Sequence, residues 1–299
     1  MVSVSGLVYA SLAALLWGFV PVYIGYLSDV DPMEIVVHRA LWSGVILLGL
    51  VTLAPSLFGG LKDARAALTT PRMRFGFLVT CALLSVNWIV FVYAVQARQV
   101  FDAALGYFIY PLVTVILGVL MLRERLDRWG WAAVGIVGCG VALKAVHHGG
   151  VPWIALVLAL SFALYGVTRK RMTVNPVIGM FVETVFLIPL SVIYLAWRHD
   201  AGQTIFFGGG AVNVTLAVFA GVVTVVPLLL YHAGNRALPI SVASLLFYIN
   251  PTTQLVVGLV YFDLVAAPEE WLVFGLIWTG LALYFASRRR GGASVNHAR

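Results

Sequence analysis

An all-α membrane protein of ten transmembrane helices, arranged as two inverted five-helix repeats, is the fold this sequence predicts. Three observations point to it. The 299 residues are 62% hydrophobic and 10% charged, with a mean hydropathy of +0.98. Soluble domains are about 45–50% apolar and about a quarter charged, so no soluble fold of this length would hide so much apolar surface. Apolar segments of spanning length also follow one another with short connections; about 20 residues cross about 30 Å of hydrocarbon. Finally, the stretch Leu105-Gly106-Tyr107-Phe108-Ile109-Tyr110-Pro111 returns after about 140 residues as Leu245-Leu246-Phe247-Tyr248-Ile249-Asn250-Pro251. The same shift pairs Ala103 with Ala243, Gly118 with Gly258, Trp131 with Trp271, Gly135 with Gly275 and Gly140 with Gly280. Apolar sequences coincide by chance in Leu and Val, but rarely in Pro, Trp and several Gly at one offset.

In chain order the spans are expected at Ser5–Leu27, Pro32–Ala54, Phe75–Ala97, Phe101–Leu122 and Trp129–Val146, then Pro152–Arg169, Val177–Trp197, Ala211–Gly234, Ile240–Phe262 and Pro268–Ser287. Met1–Ser5 lacks the positive n-region of a signal peptide, so the first span is read as a helix of the mature chain. The connection Pro55–Arg74 is either a surface helix or a plain linker. Residues 1–146 form the first repeat, 151–290 the second and 291–299 a tail. Five spans per repeat is an odd number, so the second copy is upside down. Inverted repeats of this kind build secondary transporters, with the substrate site near the midplane. A channel or a non-transporting scaffold is the alternative.

Basic residues set the orientation. Alternate loops hold Lys62, Arg65, Arg72 and Arg74, then Arg123, Arg125 and Arg128, then Arg169, Lys170 and Arg171, then Arg236, and the tail adds Arg288, Arg289, Arg290 and Arg299. The opposite loops hold Arg98, Lys144 (at a helix end) and Arg198 against six acidic residues. By the positive-inside rule both termini are cytoplasmic, and Arg169-Lys170-Arg171 is a topology anchor. The net charge of +7 follows these clusters and forms no basic stripe for nucleic acid. No HExxH, GxSxG or Walker A motif is present, so no enzyme, metal or cofactor is expected. Gly208-Gly209-Gly210 is a flexible connection, and His147-His148 has no further ligands nearby. Cys81 and Cys139 read as buried small hydrophobes.

A charge at bilayer depth costs at least about 2.5–3.5 kcal/mol, so it faces a cavity or a partner. Arg39 and Glu183 lie at such depth, at corresponding places in the two halves. Either they form an ion pair between the halves, or Arg39 meets an anionic or polar substrate while Glu183 works an inner gate or takes a proton. His38 is expected to bond between helices and His232 to be interfacial. Pro111 and Pro251 sit mid-span, as do Pro21, Pro189 and Pro227; each frees the carbonyl four residues back, here those of Tyr107 and Phe247. The freed carbonyls either line a cavity or accompany a packing kink. Asn87 and Trp88, mid-span in the third helix, join Tyr107, Tyr110, Phe247 and Asn250 as pathway candidates, with Pro111 and Pro251 as gating kinks. Gly135, Gly138 and Gly140, with Gly275 and Gly280, make smooth faces for packing or for a homodimer. Asp102 is expected as a helix N-cap.

His38-Arg39 with Trp42-Ser43, Asn87-Trp88, Leu105-Gly106-Tyr107-Phe108-Ile109 with Pro111, Ser161-Phe162-Ala163 with Tyr165-Gly166, Arg169-Lys170, and Glu183-Thr184 with Pro189 together resemble RarD-type permeases of the EamA family in the drug/metabolite transporter superfamily. The resemblance runs from Gly6 to Arg288. It implies ten helices, a central cavity lined by helices one to four and six to nine, and export of small organic solutes, such as amino-acid-like, anionic or amphipathic drug molecules, across the bacterial inner membrane. The chain departs from the family in Tyr110 where Asn is usual, in Asn250 where Gly is frequent, and in Arg123 before Glu124. The first two changes alter the pocket.

Overall fold

A computed structural model describes residues 3–122, 128–147, 150–202, 210–238 and 246–295. Arg123, Glu124, Arg125, His148, Gly208, Gly209, Arg299 and the start of the expected ninth span lie outside the described residues, as do the side chains of Lys170, Arg236, Arg288, Arg289 and Arg290.

The first expected span is divided into α1 (Val4–Gly18) and α2 (Val20–Gly25). The break at Phe19 lets Pro21, which has no N–H, sit in the first turn of α2. α3 (Pro32–Leu53), α6 (Pro71–Gln96) and α10 (Pro176–Asp200) begin alike, with a capping side chain followed by Pro. Asp31 accepts from the Met33 and Glu34 amides, Thr70 from Met73 and Asn175 from Val177. Between α3 and α6 the chain forms α4 (Pro55–Phe58) and α5 (Leu61–Ala67), so the connection is helical. The remaining helices are α7 (Val100–Leu122), α8 (Arg128–His147), α9 (Trp153–Arg171), α11 (Gly210–Ala237), α12 (Ile249–Val260) and α13 (Pro268–Val295). Seven helices among the described residues are long and apolar enough to cross a membrane. Their outward faces carry exposed Leu, Val, Phe and Trp, as lipid contact requires.

α7 packs on α9, α1 on α11, α3 on both α10 and α11, α6 on α9, and α12 on α1 and α7. α8 and α13 pair with each other at one side. At their crossing Gly140 lies against Leu276 and Ile277, and Gly280 against Val137 and the Ala133 carbonyl. The smooth faces are therefore only partly a packing device. Gly135, Gly138 and Gly275 have nothing within 4 Å of an added Cβ, because two crossing helices touch closely along a limited stretch. Cys139 is exposed on α8 and not buried; Cys81 is buried.

Three further expectations are corrected. Asp102 is not an N-cap: it lies within the first turn of α7 and is buried. Lys144, expected at a helix end among the outer charges, does lie in the last turn of α8 but is buried. Its ammonium sits 3.1 Å from Asp102 Oδ1 and 3.0 Å from Glu270 Oε1. A buried ammonium needs such partners, so the last turn of α8 faces α7 and α13 instead of water. Pro251 does not kink a continuous helix, since α12 starts at Ile249 and Pro251 falls in its first turn. Pro111, Pro189 and Pro227 do lie inside α7, α10 and α11.

Candidate functional site

A cavity of about 480 Å³ occupies the centre of the bundle. Its lining shows why particular residues face it. On α6 it is Leu84, Asn87, Trp88 and Phe91; on α9, Phe162, Tyr165, Gly166 and Arg169; on α11, Thr224, Leu228, Tyr231 and His232. These spacings of three, four and seven place each set on one helical stripe. α1, α2, α3, α7, α10 and α12 add single positions or short stretches, while α8 and α13 supply none among the described residues. Gly166 and Thr173 are exposed and line the cavity, so it reaches the surface at the α9–α10 turn.

Arg39 lies at the deep end, 6% exposed. Its Nε donates to Thr224 Oγ1 at 3.2 Å, and its guanidinium carbon stands 4.6 Å from the Trp88 ring centroid. The Thr224 hydroxyl in turn donates to the Ala220 carbonyl. Nη1 of Arg39 has no hydrogen-bond partner among the described residues, and no carboxylate there pairs with it. Beside it, Tyr107 donates to Asn87 Oδ1, and Asn87 Nδ2 donates to the Leu158 carbonyl and to Ser161 Oγ. Asn87 thus ties α6, α7 and α9 together while facing the cavity. Asn250 Oδ1 accepts from Gln254 Nε2, and both residues line the wall with Phe247.

Glu183 is fully buried and pairs with Arg169, whose Nε is 3.5 Å from Glu183 Oε1. Tyr165 donates to the other carboxylate oxygen at 3.1 Å. The ion pair between Arg39 and Glu183 is therefore absent among the described residues. Nor is Arg169 merely a topology anchor: it lines the cavity, near its mouth. His232, expected at the interface, also lines the cavity. Of the candidates, Arg39, Asn87, Trp88, Tyr107, Phe247 and Asn250 line it; Glu183, Tyr110, Pro111 and Pro251 do not. Tyr110 stands just behind, its ring 5.0 Å from Phe162 and 5.5 Å from Phe247. The periodic stripe Phe162, Tyr165, Gly166, Arg169 was the available signal for the residues that sequence reasoning missed.

Gly179 has the least spare room. A Cβ there would stand 1.7 Å from Arg169 Nη2 and 2.1 Å from its Cζ. The bare Gly179 backbone lets the guanidinium pass to Glu183. Gly179→Ala should move the flexible Arg169 head and strand the carboxylate. The expected result is a stability loss close to that of Arg169→Ala, and almost no further loss when Gly179→Ala is added to Arg169→Ala. Thermal melting of the three purified variants checks it; additive losses would show that Gly179 acts elsewhere.

Away from the mouth, contacts among the described residues tie helix ends together. Gln96 donates to the Leu27 and Val30 carbonyls, and Arg98 to the Phe262 carbonyl. Arg198 lies 3.6 Å from Glu34 and 4.0 Å from Asp31, which also accepts from Tyr194. The Gln96 contacts lie within the first half, whereas those of Arg98, Arg198 and Tyr194 bridge the two halves of the chain.

Residues 4–145 match the EamA-like transporter family. Over 295 residues the chain is 34% identical to an uncharacterized transporter of Vibrio cholerae serotype O1, covering 98% of this chain and 96% of that one. It is 34% identical over 280 residues to Protein RarD of Salmonella typhimurium, covering 93% and 94%. Against the uncharacterized transporter YojE of Bacillus subtilis it is 33% identical over 293 residues, covering 98% and 97%. A protein of known crystal structure superimposes with a TM-score of 0.60 at 17% identity, covering 96% of this chain and 98% of that one, a likeness of fold alone.

Proposed function

Because the chain belongs to the EamA-like transporter family, a family of multi-pass membrane transporters and not of enzymes, we propose that it exports small organic solutes from bacteria by alternating access through the central cavity. The observation that carries this is the asymmetry of the cavity: it reaches the surface at the α9–α10 turn, while away from that turn described residues of the two halves are tied together. A channel would be open at both ends.

The proposal includes ten spans in two inverted repeats. Its support is that the packing repeats itself. α1 on α11 is answered by α9 on α6, α3 on α11 by α10 on α6, and α1 on α12 by α9 on α7. α3 and α10 pack on each other, begin with the same kind of cap, and carry Arg39 and Glu183 at the same distance from it. The basic loops support the reading that both termini, and with them the open mouth, face the cytoplasm. The described state would then receive solute from inside.

Counterflow in proteoliposomes tests this reading. Wild-type protein should exchange a preloaded solute saturably. Gly166→Trp should abolish exchange without lowering the melting temperature, because Gly166 lines the mouth and nothing lies within 4 Å of an added Cβ. Unchanged flux in this variant would remove the cavity from the transport route.

A further inference from the structure

We propose that the cavity selects a monovalent organic anion, a carboxylate on an aromatic or otherwise apolar body, and that Arg39 reads the carboxylate; this rests on the cavity being the transport site. The argument starts from its charges. Two arginines line the cavity and no Asp or Glu does, among the described residues. Arg169 is already balanced by Glu183. Arg39 is not balanced: it is nine-tenths buried, has no carboxylate partner, and Nη1 has no hydrogen bond among the described residues. A charge taken out of water without a counter-ion is costly, and a single negative charge brought in from solution removes that cost.

The surroundings of Arg39 narrow the chemistry. Thr224 takes Nε and the Trp88 ring stands under the guanidinium carbon, and Nη1 is the donor without a partner among the described residues. A guanidinium meets a planar carboxylate through two parallel N–H···O bonds. Beyond that head group the walls are aromatic. Trp17, Tyr107, Phe162, Tyr231 and Phe247 surround a volume within the about 300–1,000 Å³ usual for small-molecule sites. Small inorganic anions would leave those walls unused. A cation would meet two arginines and no lining carboxylate.

Three probes that share one ring and differ in head group decide the matter: phenylacetate, phenylacetamide and 2-phenylethylammonium. Binding to the full-length purified protein is measured by calorimetry. Phenylacetate should bind at least about tenfold more tightly than either of the others, about 1.4 kcal/mol. Arg39→Lys should keep that order, and Arg39→Gln should erase it. Should Arg39→Gln fail to fold, the ranking on wild type and on Arg39→Lys decides alone. Equal affinities, preference for the amine or amide, no binding of phenylacetate, or competition by chloride as effective as that by phenylacetate would each overturn the proposal. Counterflow separates the two readings. Anion-selective binding without exchange sinks the transport reading and leaves the anion site standing. Exchange that favours the amine or amide does the reverse.

Discussion

Arg169→Gln is expected to destabilise the protein by about 3–5 kcal/mol, and the double variant Arg169→Gln/Glu183→Gln to recover most of that loss. Glu183 is wholly buried on α10, and Arg169 is its ion-pair partner, reaching it from α9 past Gly179. Removing the arginine leaves a carboxylate in a low dielectric with only the Tyr165 hydroxyl and neighbouring polar groups to hold it. Replacing both partners removes the stranded charge. The matching cycle between Arg39 and Glu183 should be additive to within about 0.5 kcal/mol, because the two share no partner. Denaturant or thermal unfolding of the three single and two double variants gives both coupling energies. A large coupling for Arg39 with Glu183 and none for Arg169 with Glu183 would reverse the assignment.

Gly221→Val should cost as much stability, for a steric reason. A Cβ at Gly221 on α11 would lie 2.6 Å from the carbonyl carbon of Trp42 and 2.9 Å from the Ser43 amide on α3. Backbone cannot step aside as a side chain can, so the two helices must part. Overpacking ordinarily costs about 1–3 kcal/mol, and a backbone contact belongs at the upper end or beyond it. The same displacement separates Thr224 from Arg39, since one sits on each helix. Gly135→Ala is the control. It meets nothing within 4 Å and should change stability by no more than about 0.5 kcal/mol. Equal melting temperatures for Gly221→Val and the control would show that α3 and α11 do not pack as described.

Composition and hydropathy are properties of the chain taken in one dimension, and they were legible without a structure; capping chemistry is just as local, but the one cap expected, Asp102, is not one. Hydropathy alone placed the chain among membrane proteins. Asp31-Pro32, Thr70-Pro71 and Asn175-Pro176 begin helices because a side-chain acceptor and a fixed φ act locally. Arg39, Asn87, Trp88, Tyr107, Phe247 and Asn250 could be picked out because a polar or aromatic group deep in an apolar span needs a reason to be there. What neighbours each group across the bundle depends on how helices cross, and only the tertiary structure decided it. In sequence Arg169 looked like a loop charge and Lys144 like an outward charge at a helix end. Each is bent inward by its helix's last turn to meet a carboxylate on another helix. Gly140 and Gly179 pack against neighbours while Gly135 and Gly138 do not, because close approach is confined to where two helix surfaces meet. Glu183 belongs with Arg169 and not Arg39 for the same reason: the ion pair forms between the side chains that helix packing brings within reach, and spacing along the chain does not encode that distance.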